Sequence, residues 1–134
     1  MNAEQAVWLA GLIQQAVDQL RHQPGLTIEV EGNAELWIQV IPEPDDSEEK
    51  LEGFLLNFPY RKQEGDPLDT IAASGLSAPP DTKTLGWQDG GTARMLVRPD
   101  VPLVAFSLFI GHILENIVDA PGDAELVVDF DVGF

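Results

Sequence analysis

The chain contains no cysteine, which excludes a disulfide framework and any chemistry that needs a thiolate. Cations are scarce. Seven Lys and Arg stand against 23 Asp and Glu, a formal net charge of −16 over 134 residues. A field of that sign repels phosphate backbones and anionic lipid, so nucleic acid and membrane surface are excluded as partners. Histidine occurs at two positions, His22 and His112, and no His or Cys spacing suits a metal. Long apolar runs are missing too. The longest, Val101 to Ile110, ends at Gly111-His112, about half of what a membrane span needs. The first residues carry Glu4 in place of the basic start of a signal peptide. A cytoplasmic protein is expected.

What is present is a normal apolar share of 44%, too high for a disordered chain and enough for one domain over 1–134. The spacing predicts a first helix over about 3–22, with Ala6, Leu9, Ile13, Ala16, Val17 and Leu20 on one stripe. Trp8 falls nearly opposite that stripe and Leu12 flanks it. A second long helix is predicted after Asp100, its expected cap. Leu103, Phe106, Phe109, Ile110, Ile113, Leu114 and Ile117 share its apolar face. Ser107, Gly111, His112 and Glu115 fall on the polar side. Val104 and Leu108 also fall there. Either a neighbouring loop covers them or they form a subunit or client contact.

Between the helices the pattern alternates. Leu26, Ile28 and Val30 predict a half-buried strand, and 35–41 its partner. Parity chooses the register. A three-residue loop, Gly32–Ala34, sets Val30 beside Leu36, Ile28 beside Ile38 and Leu26 beside Val40, which gathers one apolar face. By the same test a loop of Asp89–Gly91 pairs Trp87 with Ala93 and Leu85 with Met95. An acidic loop spans 42–50, and a strand apolar on both faces follows over 51–58. Asp66 caps a short helix through about Ala73, 74–81 is a linker, and Leu126, Val128, Phe130 and Val132 line a last strand. The order α-β-β-β-α-β-β-α-β predicts an α+β fold, an antiparallel sheet with helices.

No motif announces chemistry. The serines Ser47, Ser74, Ser77 and Ser107 lack a nucleophile-elbow context. Asp45, Asp46, Glu48 and Glu49 lack the alternate ligand spacing and central glycine of an EF-hand loop. No catalytic residue, cofactor or metal is expected. The surplus is apolar surface. Trp8 and Leu12 leave the first helix off its stripe, and Trp37, Ile41, Phe54, Leu56 and Phe58 are expected to line a second sheet face. That face is either covered by the short helix, linker and last strand, or serves as a groove for a peptide or partner.

The element order, the small acidic cysteine-free character and the final helix "VPLVAFSLFIGHILENIVDA" resemble the chaperone fold of type III secretion, within the wider group that includes YbjN-like domains. The resemblance implies a homodimeric, non-enzymatic protein that holds a client segment along the first helix and the sheet. It implies client contacts at Trp8, Leu12 and the outward strand residues, and a dimer element in the short helix after Asp66. The last strand departs from that pattern. The expected function is therefore a chaperone-like protein-binding module. The alternatives are a toxin-neutralising or adaptor protein, and a cofactor-free enzyme using carboxylates.

Overall fold

The computed structural model describes residues 1–22 and 24–131. Helix α1 spans Ala3–Asp18. It begins where Asn2 and Gln5 satisfy each other: the Asn2 side chain accepts from Gln5 N at 2.8 Å and the Gln5 side chain from Asn2 N at 3.0 Å. The expected helix to residue 22 divides at Gln19, and a 3₁₀ turn, Leu20–His22, tucks Leu20 into the core. Strands β1 (Gly25–Val30), β2 (Asn33–Pro44) and β3 (Leu51–Tyr60) follow. Helix α2 (Pro67–Ala73), strands β4 (Lys83–Trp87) and β5 (Gly91–Val97), helix α3 (Leu103–Asn116) and strand β6 (Leu126–Asp131) complete the order.

The strands form one six-stranded antiparallel sheet in the order β4-β5-β3-β2-β1-β6. The class is α+β, in the element order the sequence predicts. The register of the first hairpin matches at two of its expected pairs: Ile28 lies opposite Ile38 and Leu26 opposite Val40, but Val30 lies opposite Asn33 and not Leu36. The loop achieves this differently. A two-residue turn, Glu31-Gly32, connects Val30 to Asn33, and an irregularity in β2 restores the parity. Gly32 takes φ +81°, which a side chain would resist. In the second hairpin Trp87 lies opposite Ala93, as expected, with Gln88 N donating to Thr92 O at 2.9 Å across the loop. A bulge at Leu85 then sets Thr84, not Leu85, opposite Met95.

All three helices lie on one side of the sheet. Leu26, Ile28, Ile38, Val40, Leu56 and Met95 point to that side and are fully buried. Phe106 of α3 meets Phe54 of β3 at a ring distance of 4.9 Å. The Tyr60 hydroxyl, at the end of β3, donates to Gly65 O at 2.7 Å and lies 2.7 Å from the Thr70 hydroxyl of α2. This corrects the expected faces of the third strand. Phe54, Leu56 and Phe58 have no exposed surface and belong to the core. The cause is register: Val40 pairs with Leu56 and Pro42 with Phe54. The even-numbered residues of β3 thus join the face that β1 and β2 already give to the helices, and Leu55 goes to the other.

The last helix also differs at its start and on one flank. Its N-cap is Pro102, with no side-chain bond, while Asp100 accepts from Arg98 at 3.2 Å. Ser107 and Gly111 are buried, not on a solvated face. Ser107 returns its hydroxyl to Leu103 O at 2.8 Å. Gly111 leaves room for Met1: an added Cβ would lie 2.7 Å from Met1 Cβ. The Met1 amine pairs with Glu115 one turn on.

Candidate functional site

Three places outside the core carry side chains that could act on another molecule. The first is the outer face of the sheet, which no helix covers. Ile41, Leu55 and Leu96 stand in one row across β2, β3 and β5, each half-buried. Leu96 lies over Gly53, where a Cβ would come 3.0 Å from its Cδ1. Trp37 belongs to the same face, opposite Glu29. Of the residues expected on a second sheet face, the structure brings Trp37 and Ile41 there. Leu55 and Leu96 join them, and sequence reasoning missed both. Strand β6 does not cover this face; it extends the sheet beside β1. Asn57 sits in the middle of the face, and its Oδ1 is buried with no hydrogen-bond partner among the described residues.

The charges on this face are mostly acidic, and Glu43 stands near its middle on β2, opposite Gly53. Glu29 and Asp129 stand on β1 and β6, and neither strand carries Lys or Arg. Lys83 and Arg94 stand on β4 and β5, both exposed and without an ion pair among the described residues. Just beyond β5, Arg98 bonds Asp81 at 3.1 Å and Asp100 at 3.2 Å; both carboxylates hold its guanidinium above the usual pKa. Where β1 gives way to its turn, Glu31 meets Glu125. A hydrogen bond to Glu125 and repulsion from it raise the Glu31 carboxyl above its ordinary range.

The second place is on the helix side. A groove of about 530 Å³ runs between α3 and the segment 76–80, lined by Leu76, Pro79, Val101, Leu108 and Phe109, with His112 and Glu115 at one end. Leu108 is 46% exposed and Val104 is 44% exposed, so no loop covers them. On α1, Trp8 is 44% exposed and Val7 61%, whereas Leu12 is half-buried and packs against the core. Trp8 could reach a partner; Leu12 is partly used by the fold.

The third place was invisible in the sequence. Ser74, His112 and Asn116 form a chain with Ser74 Oγ 2.9 Å from His112 Nε2 and Asn116 Nδ2 3.3 Å from His112 Nδ1. The members suit a hydrolytic triad, but the polarity is reversed. Ser74 Oγ donates its proton to Ile71 O at 2.6 Å. Asn116 Nδ2 makes its shorter bond, 3.1 Å, to His112 O one turn back in the same helix. A general base needs a free nitrogen facing the serine. Here the histidine ties the end of α2 to α3 instead.

The acidic loop is self-contained. Asp45 accepts from Ser47 Oγ at 2.6 Å and Ser47 N at 3.1 Å, and the Ser47 bond lowers its carboxyl pKa. Among the described residues no group of three or more His, Cys, Asp or Glu could hold a metal, and no helix is long and apolar enough to cross a membrane.

The fold and these surfaces define a two-layer α+β protein with one sheet face covered by helices and one open. Comparison with protein-family models, with curated proteins and with solved structures gave no match.

Proposed function

We propose that the protein is a non-enzymatic, chaperone-like binding module that holds a segment of a client polypeptide on its helix layer. The observation that carries this reading is the apolar groove beside α3, into which Leu108 projects while still 46% exposed. Isolated apolar side chains on a surface are ordinary, but a concave apolar lining with few polar groups is the usual form of a binding site. The segment 76–80 on its far wall contains Pro79 and Pro80, which donate no backbone hydrogen bond and stiffen the wall. Trp8 and Val104 extend the exposed apolar surface of the helix layer. The net charge of −16 selects among clients: a segment with apolar anchors between Lys or Arg residues is drawn in, and an acidic one is repelled. The same charge keeps a module with exposed apolar surface soluble. A cytoplasmic setting accords with the cysteine-free composition.

The test is an array of 15-residue peptides of varied charge and apolar content, probed with the wild type and with Leu108→Glu. The expected result is binding to basic peptides with apolar anchors, lost in Leu108→Glu while the melting temperature stays within about 2–4 °C. Absence of peptide binding by the wild type, or equal binding by the variant, overturns the reading.

A further inference from the structure

The sheet has two edges, and the chain treats them differently. β4 is five residues long, is interrupted by a bulge at Leu85 and carries Lys83. A short, bulged, lysine-bearing edge is poor at pairing with another chain. β6 has none of these devices. It pairs with β1 through six consecutive residues, Leu126 to Asp131, without a shift in register, and it contains no Pro, Gly or Lys. It is also the strand by which this chain departs from the secretion-chaperone pattern, so that resemblance assigns it no role. We propose that the free edge of β6 is a second binding site, which takes an extended, basic segment of a partner polypeptide as a seventh strand.

The backbone phase shows which groups are free. Glu31 N donates to Glu125 O at 2.9 Å, so Glu31 and Glu125 form a hydrogen-bonded pair. In an antiparallel ladder bonded and non-bonded pairs alternate. Val127 and Asp129 therefore spend their backbone groups on Glu29 and Thr27, while Leu126, Val128 and Phe130 turn theirs away from β1. β6 is the last strand of the sheet. The outward N–H and C=O groups of those three residues thus have no partner strand among the described residues, and an incoming strand can pair with all of them.

Side chains decide the occupant. Leu126, Val128 and Phe130 lie on the helix side, opposite Val30, Ile28 and Leu26. Phe130 is 43% exposed at the edge, although Leu26 beside it is fully buried. Val127 and Asp129 lie on the open side, and both are exposed. Every charged residue of β1, of β6 and of 121–125 is acidic: Glu29, Asp123, Glu125, Asp129 and Asp131. A strand that alternates apolar residues with Lys or Arg satisfies both sides. Its apolar residues cover Phe130 and Val128, and its cations stand opposite Asp129. The β6 of a second copy would bring only more carboxylates to this edge, and so would an acidic partner. The site lies apart from the groove beside α3, and the inference does not rest on that groove.

The probe is a blocked peptide, acetyl-Val-Lys-Val-Lys-Val-Lys-Val-amide, titrated onto the full chain and followed by amide hydrogen exchange. The expected dissociation constant is about 100 µM or lower. Exchange at Leu126, Val128 and Phe130 should slow about tenfold or more, because each amide gains a bond. The same peptide with Glu for Lys should bind about tenfold more weakly or worse. Val128→Pro removes one outward N–H and no bond to β1, a place where an edge strand tolerates proline. With net charge unchanged, it should weaken the lysine peptide about tenfold. Asp129→Lys, an exposed change that leaves the backbone alone, should weaken it about fivefold and decides the matter if Val128→Pro does not fold. Leu108→Glu should bind this peptide as the wild type does, so failure at β6 and failure of the groove are read apart. No binding at about 1 mM peptide, binding without slowed exchange at the three amides, or wild-type affinity in either folded β6 variant overturns the proposal.

Discussion

The two faces of one sheet use similar residues to opposite ends. The covered face has Leu26, Ile38, Val40, Phe54 and Leu56 with no exposed surface. The open face has Trp37, Ile41, Leu55 and Leu96, all half-buried by one another and by the sheet itself. Hydropathy hardly separates the sets. What separates them is the presence of helices, and with it the number of atoms that each side chain touches. A fully enclosed side chain is held by contacts on all sides, and its loss leaves a cavity. A half-buried one loses less, because water already reaches it.

That contrast is sharpest at adjacent positions of β3. Phe54→Ala should cost about 3–5 kcal/mol in urea denaturation, since the ring fills the space under Phe106. Leu55→Ala, one residue on and facing out, should cost about 1 kcal/mol at concentrations where the protein is monomeric. Equal costs would mean that something covers the open face of the monomer.

The covering layer can be probed at its tightest point. Gly111→Ala brings a Cβ to 2.7 Å from Met1 Cβ. Helix propensity favours alanine by about 1 kcal/mol, but crowding of Met1 against α3 should outweigh it and leave a net loss of about 1 kcal/mol. A stabilised variant would show that Met1 moves aside freely.

Tyr60 marks where the covered face meets α2. Tyr60→Phe should cost about 1 kcal/mol through the lost bonds to Gly65 and Thr70. Burial raises the phenol above its ordinary value. Its contribution is therefore complete below the unfolded value near 10 and falls as pH rises through the folded value. A melting-temperature profile should show Tyr60→Phe losing less than the wild type above that pH.

The smallest effect is expected on the rim of the open face. Glu31 is raised by Glu125, so this pair destabilises the fold once both are ionised. Glu125→Gln should melt slightly higher than the wild type at pH 7. The difference should shrink as pH falls through the raised Glu31 value, where Glu31 takes a proton and the repulsion is lost. An unchanged difference at acid pH would point to a cause other than repulsion.

Much of the fold was legible because its signals are local. Asn2 and Asp66 start their helices through bonds made within three residues. The alternation of Leu26, Ile28 and Val30 against Ile38 and Val40 settled the first hairpin, because an odd slip would turn every apolar side chain outward. The site was less legible. Trp8, Val104 and Leu108 were readable as off-stripe on their helices, and each remains exposed. Leu12 was equally off-stripe yet packs against the core, since a flanking position is covered or bare according to its neighbour.

By itself, the sequence determined the element order, the antiparallel class, the register of the first hairpin and the acidic field. These follow from residue type, period and parity along the chain. Only the tertiary structure decided which side of β3 is core, which of two apolar sheet faces stays open, and that Met1 needs Gly111. It also decided that Ser74 meets His112 across 38 positions of sequence. The physical reason is the same each time. A strand apolar on both sides is symmetric to local rules. The symmetry is broken only when the chain spends its helices on one face, and that choice belongs to contacts between residues far apart in sequence.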